Sequence, residues 1–405
     1  MNNIPQGYKQ TELGIIPEDW EVKQIRDVLT LLTDFDANGS FADMAANVQT
    51  YAGGGYAWYV RATDLEQQTP LSEVKYVDES SYRFLKKSSL YGGEVLLAKR
   101  GDIGKVYLFE AKTMYATLAP NLYLLKLNQK IDSTYLYYYL KSTNGQKALK
   151  DINASTSLGA LYKEDVKNLY ILYPSSVEQR AIAEALSDID GLITALDKKI
   201  AKKRLIKQGA MQQLLTGKKR LPGFTDPWVE TKLGEILDYE QPQPYLVVST
   251  DYVDSGIPVL TAGKSLILGY TTEQFGIYNK LPVIIFDDFT TDSKYISYPF
   301  KVKSSAMKML SLKNNDYDLR LVYELMQQID FPLKDHQRYW ISEYSQLTIS
   351  IPKDREEQTA IATILTDMDK EIADLEAKRD KYRLLKSGMM QKLLTGQIRL
   401  KINRI

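Results

Sequence analysis

Ile182, Leu186, Ile189, Ile193, Leu196 and Ile200 follow one another in alternating steps of four and three. That is the spacing of a heptad seam rather than of a broad amphipathic face. The same steps return at Ile361, Leu365, Met368, Ile372 and Leu375, where Arg379 interrupts them before Tyr382 resumes. Both stretches carry start and stop signals. Ser175 and Asp354 are placed to cap the first turn, with Glu178 and Glu357 three residues on to complete a capping box. Gly217 and Gly396 are placed to end the helix, because glycine takes a left-handed conformation without a Cβ clash. The pattern predicts two helices of about forty residues, each on the order of 60 Å long at 1.5 Å per residue.

The two helices are copies of each other. Gln179-Arg-Ala-Ile-Ala183 through Arg220-Leu221 returns as Gln358-Thr-Ala-Ile-Ala362 through Arg399-Leu400, in constant register and with about half the positions identical. Leu214-Leu215-Thr216-Gly217 is matched by Leu393-Leu394-Thr395-Gly396. A fainter echo marks the start of each unit, where Trp20 with Ile25, Val28 and Leu29 is answered by Trp228 with Leu233, Ile236 and Leu237. A heptad seam needs a partner helix, and the other copy is the nearest one. The expectation is an intramolecular antiparallel coiled coil with a pseudo-twofold internal repeat, its interface formed by the twelve seam residues named above. Two coiled-coil stalks that oligomerise the chain remain an alternative.

The segments between the repeated parts, Leu29 to Pro174 and Leu237 to Pro352, match each other in no register and differ in length by about thirty residues. Both contain short β-type runs separated by turn residues, including Glu94-Val-Leu-Leu97 and Lys105-Val-Tyr-Leu-Phe109 in one and Val283-Ile-Ile-Phe286 in the other. Ser133 to Leu140 and Asp318 to Gln328 read as helical. The fold class expected is α+β, with two mixed domains on the helical pair. The segments are 1–174, a helical region 175–220, a second mixed domain 221–352 and a second helical region 353–405.

Composition narrows the function. The 405 residues are 44% hydrophobic and 25% charged, with no apolar run near the length that spans a bilayer and no signal-like N-terminus. The absence of cysteine excludes disulfides, a thiolate nucleophile and a cysteine-based zinc site, and it fits a cytoplasmic protein. A net charge of +1 is not the footprint of an independent, tight nucleic-acid binder, so any grip on DNA is local or shared with a partner. Tyrosine is in excess at 29 copies, which suits interfaces and nucleic-acid contact as well as domain cores.

Gly93-Glu94-Val95-Leu96-Leu97, Lys99-Arg100-Gly101, Asn121, Leu161 to Asp165, Tyr173-Pro174 and Glu178-Gln179-Arg-Ala-Ile-Ala183 together resemble the first half of type I restriction-modification specificity subunits. Ile351-Pro352, Glu357-Gln358 and Ala360-Ile361-Ala362 resemble the second half. The resemblance implies a non-catalytic reader of double-stranded DNA with two target-recognition domains. The helices would set the spacer between half-sites and dock two modification (methyltransferase) subunits. It also implies two restriction (translocase and nuclease) subunits in the full complex. No cofactor is expected in this chain; S-adenosylmethionine, ATP and magnesium belong to the partners.

Base reading needs paired donors and acceptors, and phosphate contact needs cations, hydroxyls or exposed amides. The candidates in the first insert are Lys99, Arg100 and Gly101, with Asn153, Ser155, Thr156 and Ser157. In the second they are Thr261, Gly263 and Lys264; Lys301, Lys303, Ser304 and Ser305; and Arg338 beside His336 and Gln337. Ala262-Gly-Lys-Ser265 resembles the end of a phosphate-binding loop, but proline stands at 258 where its first glycine belongs. Asp287 and Asp288 leave a metal-dependent enzyme as one rival reading. A single histidine without Gly-x-Ser-x-Gly argues against a serine hydrolase. The other rival is a coiled-coil adaptor whose inserts bind proteins.

Overall fold

The computed structural model describes residues 4–153, 159–261, 266–333 and 338–400. Contacts divide the chain into one unit of Met1–Leu196 with Lys378–Ile405 and another of Asp197–Ala377. The elements that position the site in the first unit are β1 Glu21–Gln24, β2 Leu29–Asp34, β3 Ala57–Val60, β4 Val95–Ala98, β5 Val106–Leu108, β6 Ala116–Leu118, β7 Leu122–Leu127, α1 Ser133–Lys141 and β8 Tyr170–Tyr173. The long helix α2, Ser176–Leu214, follows. Those of the second are β9 Trp228–Lys232, β10 Leu237–Glu240, β11 Ile257–Leu260, β12 Val283–Asp287, β13 Ser293–Ile296, β14 Lys301–Val302, β15 Met307–Leu312, α3 Leu319–Met326 and β16 Thr348–Pro352. The last helix, α4, runs Arg355–Leu393. None of the described helices is long and apolar enough to cross a membrane.

Although their sequences do not match, the two inserts share a topology. The first contains an antiparallel sheet in the order β2-β7-β4-β5, and the second has β10-β15-β12-β13. Each also has a second sheet built round a parallel pair, β3 with β6 in a sheet of five strands and β11 with β14 in a sheet of three. The apolar runs at the centre of each insert have cores on both faces. Val95 and Leu97 face the core that receives the long helices, while Leu96 and Ala98 face the second sheet. In the second unit Ile284 and Phe286 take the first role, and Val283 and Ile285 the second.

The repeated sequence places the long helices against these domains. In the first unit Ile182 and Leu186 of α2 share a core with Leu393 and Leu394 at the end of α4. In the second, Ile361 and Leu365 share one with Leu214 and Leu215. In each unit the start of one helix therefore lies with the end of the other, so the pair is antiparallel. Ile189, Ile200 and Ile372 are buried, whereas Ile193, Leu196, Met368, Leu375 and Tyr382 are half-buried. The outermost seam positions thus serve the domain cores as well as the helix pair. Repeat-equivalent ion pairs cross the helices, Asp190–Lys386 at 2.6 Å in the first unit and Asp369–Lys207 in the second. A residue of the adjoining domain helix joins each, the Tyr138 hydroxyl on Asp190 at 2.8 Å and Arg320 on Asp369 at 2.6 Å.

The capping boxes differ from expectation. Ser175 Oγ does accept from the Glu178 amide at 3.3 Å, and Asp354 Oδ1 accepts from the Glu356 amide at 2.8 Å. The glutamate carboxylates, however, do not return to the caps. Glu178, 1% exposed, accepts two hydrogen bonds from Arg399 and one from Trp20 Nε1. Glu357 accepts two from Arg220. A carboxylate this deep needs a charged partner, and a bidentate guanidinium satisfies both oxygens. The glutamines beside them act as brackets. Gln179 donates to Pro174 O and accepts from the Asp132 amide at the cap of α1. Gln358 donates to Pro352 O and accepts from the Asp318 amide at the cap of α3. Arg220→Ala leaves the Glu357 carboxylate buried without its cation and should lower the stability of the fold. Urea unfolding of the variant tests this; an unchanged midpoint would show that the pair is not needed.

Candidate nucleic-acid interface

At one end of each insert several connections converge, and the backbone hydrogen bonds that join them are the same in both. In the first unit Ala98 N donates to Lys105 O (2.9 Å), Lys99 N to Asn121 O (2.9 Å), Ala119 N to Val60 O (3.0 Å) and Leu161 N to Lys99 O (3.0 Å). In the second, Asp287 N donates to Asp292 O (2.9 Å), Asp288 N to Ala306 O (3.1 Å), Lys303 N to Leu260 O (2.9 Å) and Tyr339 N to Asp288 O (2.9 Å). The β4–β5 turn corresponds to the β12–β13 turn, and the β6–β7 connection to β14–β15. The stretch before Leu161 corresponds to that before Tyr339. These bonds make Lys99 and Asp288 equivalent.

Both are buried, with opposite charge. Lys99, 5% exposed, binds Asp34 at 2.8 Å and Asp36 at 2.6 Å, and Lys163 reaches the other Asp34 oxygen at 2.9 Å. Burial pushes the Asp34 carboxyl up, but the hydrogen bonds from Lys99 and Lys163 outweigh it and hold the group below its usual range. Its contribution to stability is therefore present above the ordinary carboxylate range and is lost only as pH falls through the depressed value. Asp288 pairs with Lys308 at 3.0 Å and accepts from the Trp340 amide at 2.8 Å. Asp287 accepts from the amides of Phe289 and Thr290, each at 2.8 Å. Both aspartates are thus spent on building the turn, and no group suited to hold a metal ion occurs among the described residues.

The structure divides the sequence candidates. Lys99 is not available to a phosphate, because its ammonium is held inside by two carboxylates. Lys301 is likewise fully buried, donating to Phe275 O at 2.8 Å and pairing with Glu273 at 2.7 Å. Both were credible only while their distant partners were unseen. Arg100 and Gly101 are exposed in the β4–β5 turn, and Asn153 accepts from the Ala160 amide beside them at 3.2 Å. Lys303 and Ser305 are exposed in the β14–β15 connection, with Ser304 and Thr261 half-buried next to them. Arg338 is exposed at the same end, its guanidinium 5.8 Å from the Phe289 ring centre. Ser155, Thr156, Ser157, Gly263, Lys264, His336 and Gln337 lie outside the described residues.

Sequence reasoning missed Phe289, Thr290 and Thr291 in the β12–β13 turn. Thr291 has φ +58°, a conformation that a β-branched residue adopts only under constraint and that recurs at functional sites. Asn121, at φ +73°, lies in the β6–β7 connection of the first unit, where its counterpart in the second is Ala306. The Phe-Asp-Asp-Phe-Thr-Thr run was visible, but only the fold distinguishes its buried acids from its exposed tip. Lys99→Met should therefore cost about 2–4 kcal/mol of stability, whereas Arg100→Ala should stay within about 0.5 kcal/mol. Denaturant unfolding of the two variants, side by side, checks the division; equal stabilities would contradict it.

Residues 17–204 and 225–382 match the profile of the family described as the type I restriction modification DNA specificity domain. The specificity subunit of the Escherichia coli type I restriction enzyme EcoR124I/EcoR124II is 42% identical over 211 residues, an alignment spanning 46% of this chain and 52% of that relative. A putative type I restriction enzyme MjaX specificity subunit of Methanocaldococcus jannaschii is 26% identical over 432 residues, covering 98% of this chain and 97% of the relative. Among solved structures, the S subunit of a type I restriction-modification system from M. genitalium has the same fold, with TM-score 0.67 at 16% identity, over 95% of this chain and 97% of that one.

Proposed function

The chain belongs to the type I restriction-modification DNA specificity family, and we propose that it is the non-catalytic subunit that tells such a complex where to act. Each loop end reads one half of an asymmetric, bipartite site on double-stranded DNA. The support is the recurrence of one backbone framework with unrelated side chains: the connections are held alike, while the groups they present differ. Base readout depends on which donors, acceptors and apolar groups meet the groove, so equal frames with different surfaces suit two different half-sites. Arg100, Gly101 and Asn153 serve the first; Thr261, Lys303, Ser304, Ser305 and Arg338 serve the second, and the remaining loop candidates adjoin them in sequence.

The methylation chemistry falls to two modification subunits, and cleavage to two restriction subunits, which would bring S-adenosylmethionine, ATP and magnesium. The setting is the cytoplasm. The long helices offer repeat-equivalent docking places. Leu205 and Ile206 on α2 are exposed, as are their counterparts Leu384 and Leu385 on α4, with Leu205 at 68% and Leu384 at 76%. Exposed aliphatic pairs at the same repeat position suit two copies of one partner. The net charge of +1 fits a reader that holds DNA firmly only when those partners close around the duplex.

With modification subunits present, binding should be selective for one bipartite sequence and should weaken steeply as salt rises. Binding that ignores sequence, or none at all beside retained protein partners, would favour the coiled-coil adaptor. Replacing Leu205 and Ile206 with aspartate should cost one bound modification subunit, read as a mass decrease in native mass spectrometry, and the Leu384 and Leu385 counterparts should cost the other. Full assembly in both variants would remove the two aliphatic pairs from the docking surface.

A further inference from the structure

Each loop end carries an arginine at one of two adjoining positions, on opposite sides of the pair. The carbonyl of Lys99 accepts from Leu161 and that of Asp288 from Tyr339. The residues next to these bonds are therefore equivalent as well: Arg100 corresponds to Phe289, and Ala160 to Arg338. In the first unit Arg100 forms an antiparallel bridge with Ala160. In the second the same two places hold Phe289 and Arg338, with the guanidinium near the ring. One domain thus supplies the arginine from the turn, and the other from the segment facing it.

Resting on the DNA-reading role proposed above, we propose that Arg100 and Arg338 are the guanine-reading residues of the two half-sites, each contacting one G·C pair at the equivalent place in its own half. A guanidinium fork matches O6 and N7 of guanine in the major groove. Both side chains are exposed, and neither is committed to a carboxylate among the described residues. Beside Arg338 the β12–β13 turn exposes Asp292, which repels a phosphate but can accept from the amino group of cytosine; beside Arg100, Asp102 is paired with Lys105 at 2.8 Å. In the second unit the Phe289 ring limits the swing of the Arg338 guanidinium. In the first, the buried Lys99 cluster fixes the backbone from which Arg100 projects.

The test uses the full chain assembled with its modification subunits in cells, with methylated positions mapped across genomic DNA. Arg100→Ala should relax one G·C position in one half only, discrimination there falling roughly 5- to 150-fold, with the other half unchanged. Arg338→Ala should do the same in the opposite half. Arg100→Gln and Arg338→Gln should shift that position toward adenine, which glutamine reads through N6 and N7. A uniform decline at all sites with the motif intact would assign the arginines to phosphate and overturn the proposal. So would relaxation at an A·T position, relaxation in both halves, or a glutamine variant with the parental motif. Failure of the unsubstituted chain to direct methylation to any bipartite motif is a separate result, and it would overturn the DNA-reading role itself.

Discussion

A carboxylate buried in the first turn of each long helix organises everything around it. Glu178 and Glu357 sit where water cannot solvate them, so each requires a cation, and the cation comes from beyond the end of the other helix: Arg399 for Glu178, Arg220 for Glu357. That demand ties a helix start to a helix end within each unit. It brings Leu393 and Leu394 against Ile182 and Leu186, and Leu214 and Leu215 against Ile361 and Leu365. The neighbouring glutamines then fasten the caps of α1 and α3 to the same place. The repeated Glu-Gln-x-x-Ile-Ala and Leu-Leu-Thr-Gly runs are two sides of one joint. Gly396 is required there, since a Cβ would lie 2.4 Å from the Pro17 ring.

With the joints fixed, the inserts are free to vary where they do not touch them. Their central sheets keep the same strand order, and their loop ends the same backbone bonds. The side chains in those loop ends are not so bound. Even the buried charge at the centre has opposite sign, lysine in one and aspartate in the other, and each is balanced by its own local partner. A frame indifferent to the chemistry it presents allows one fold to read unrelated base sequences.

The periodic and repeated features were legible in the sequence, since heptad steps and constant register need no distant information. The joint was half legible. Glu178 and Glu357 stood out, but as capping residues, because the arginines that claim them lie far along the chain. The common topology of the inserts was not legible at all: strands buried on both faces lose the alternation that marks them, and only the pairing order reveals the likeness. For the same reason Lys99 and Lys301 passed for surface cations. Asp34 is 65 residues from Lys99 in sequence, and Glu273 meets Lys301 from a separate part of the second insert. Arg100 and Arg338 stood among the loop candidates and both are exposed, but their equivalence rests on hydrogen bonds that no sequence comparison contains.

The central claim is that two like frames with unlike surfaces read two unlike half-sites. Its most direct test is the genome-wide methylation pattern produced when the unsubstituted chain is expressed with its modification subunits. The account predicts a single motif of two short, different specific sequences separated by a fixed stretch of unspecified bases. A contiguous motif, or two identical halves, would contradict it.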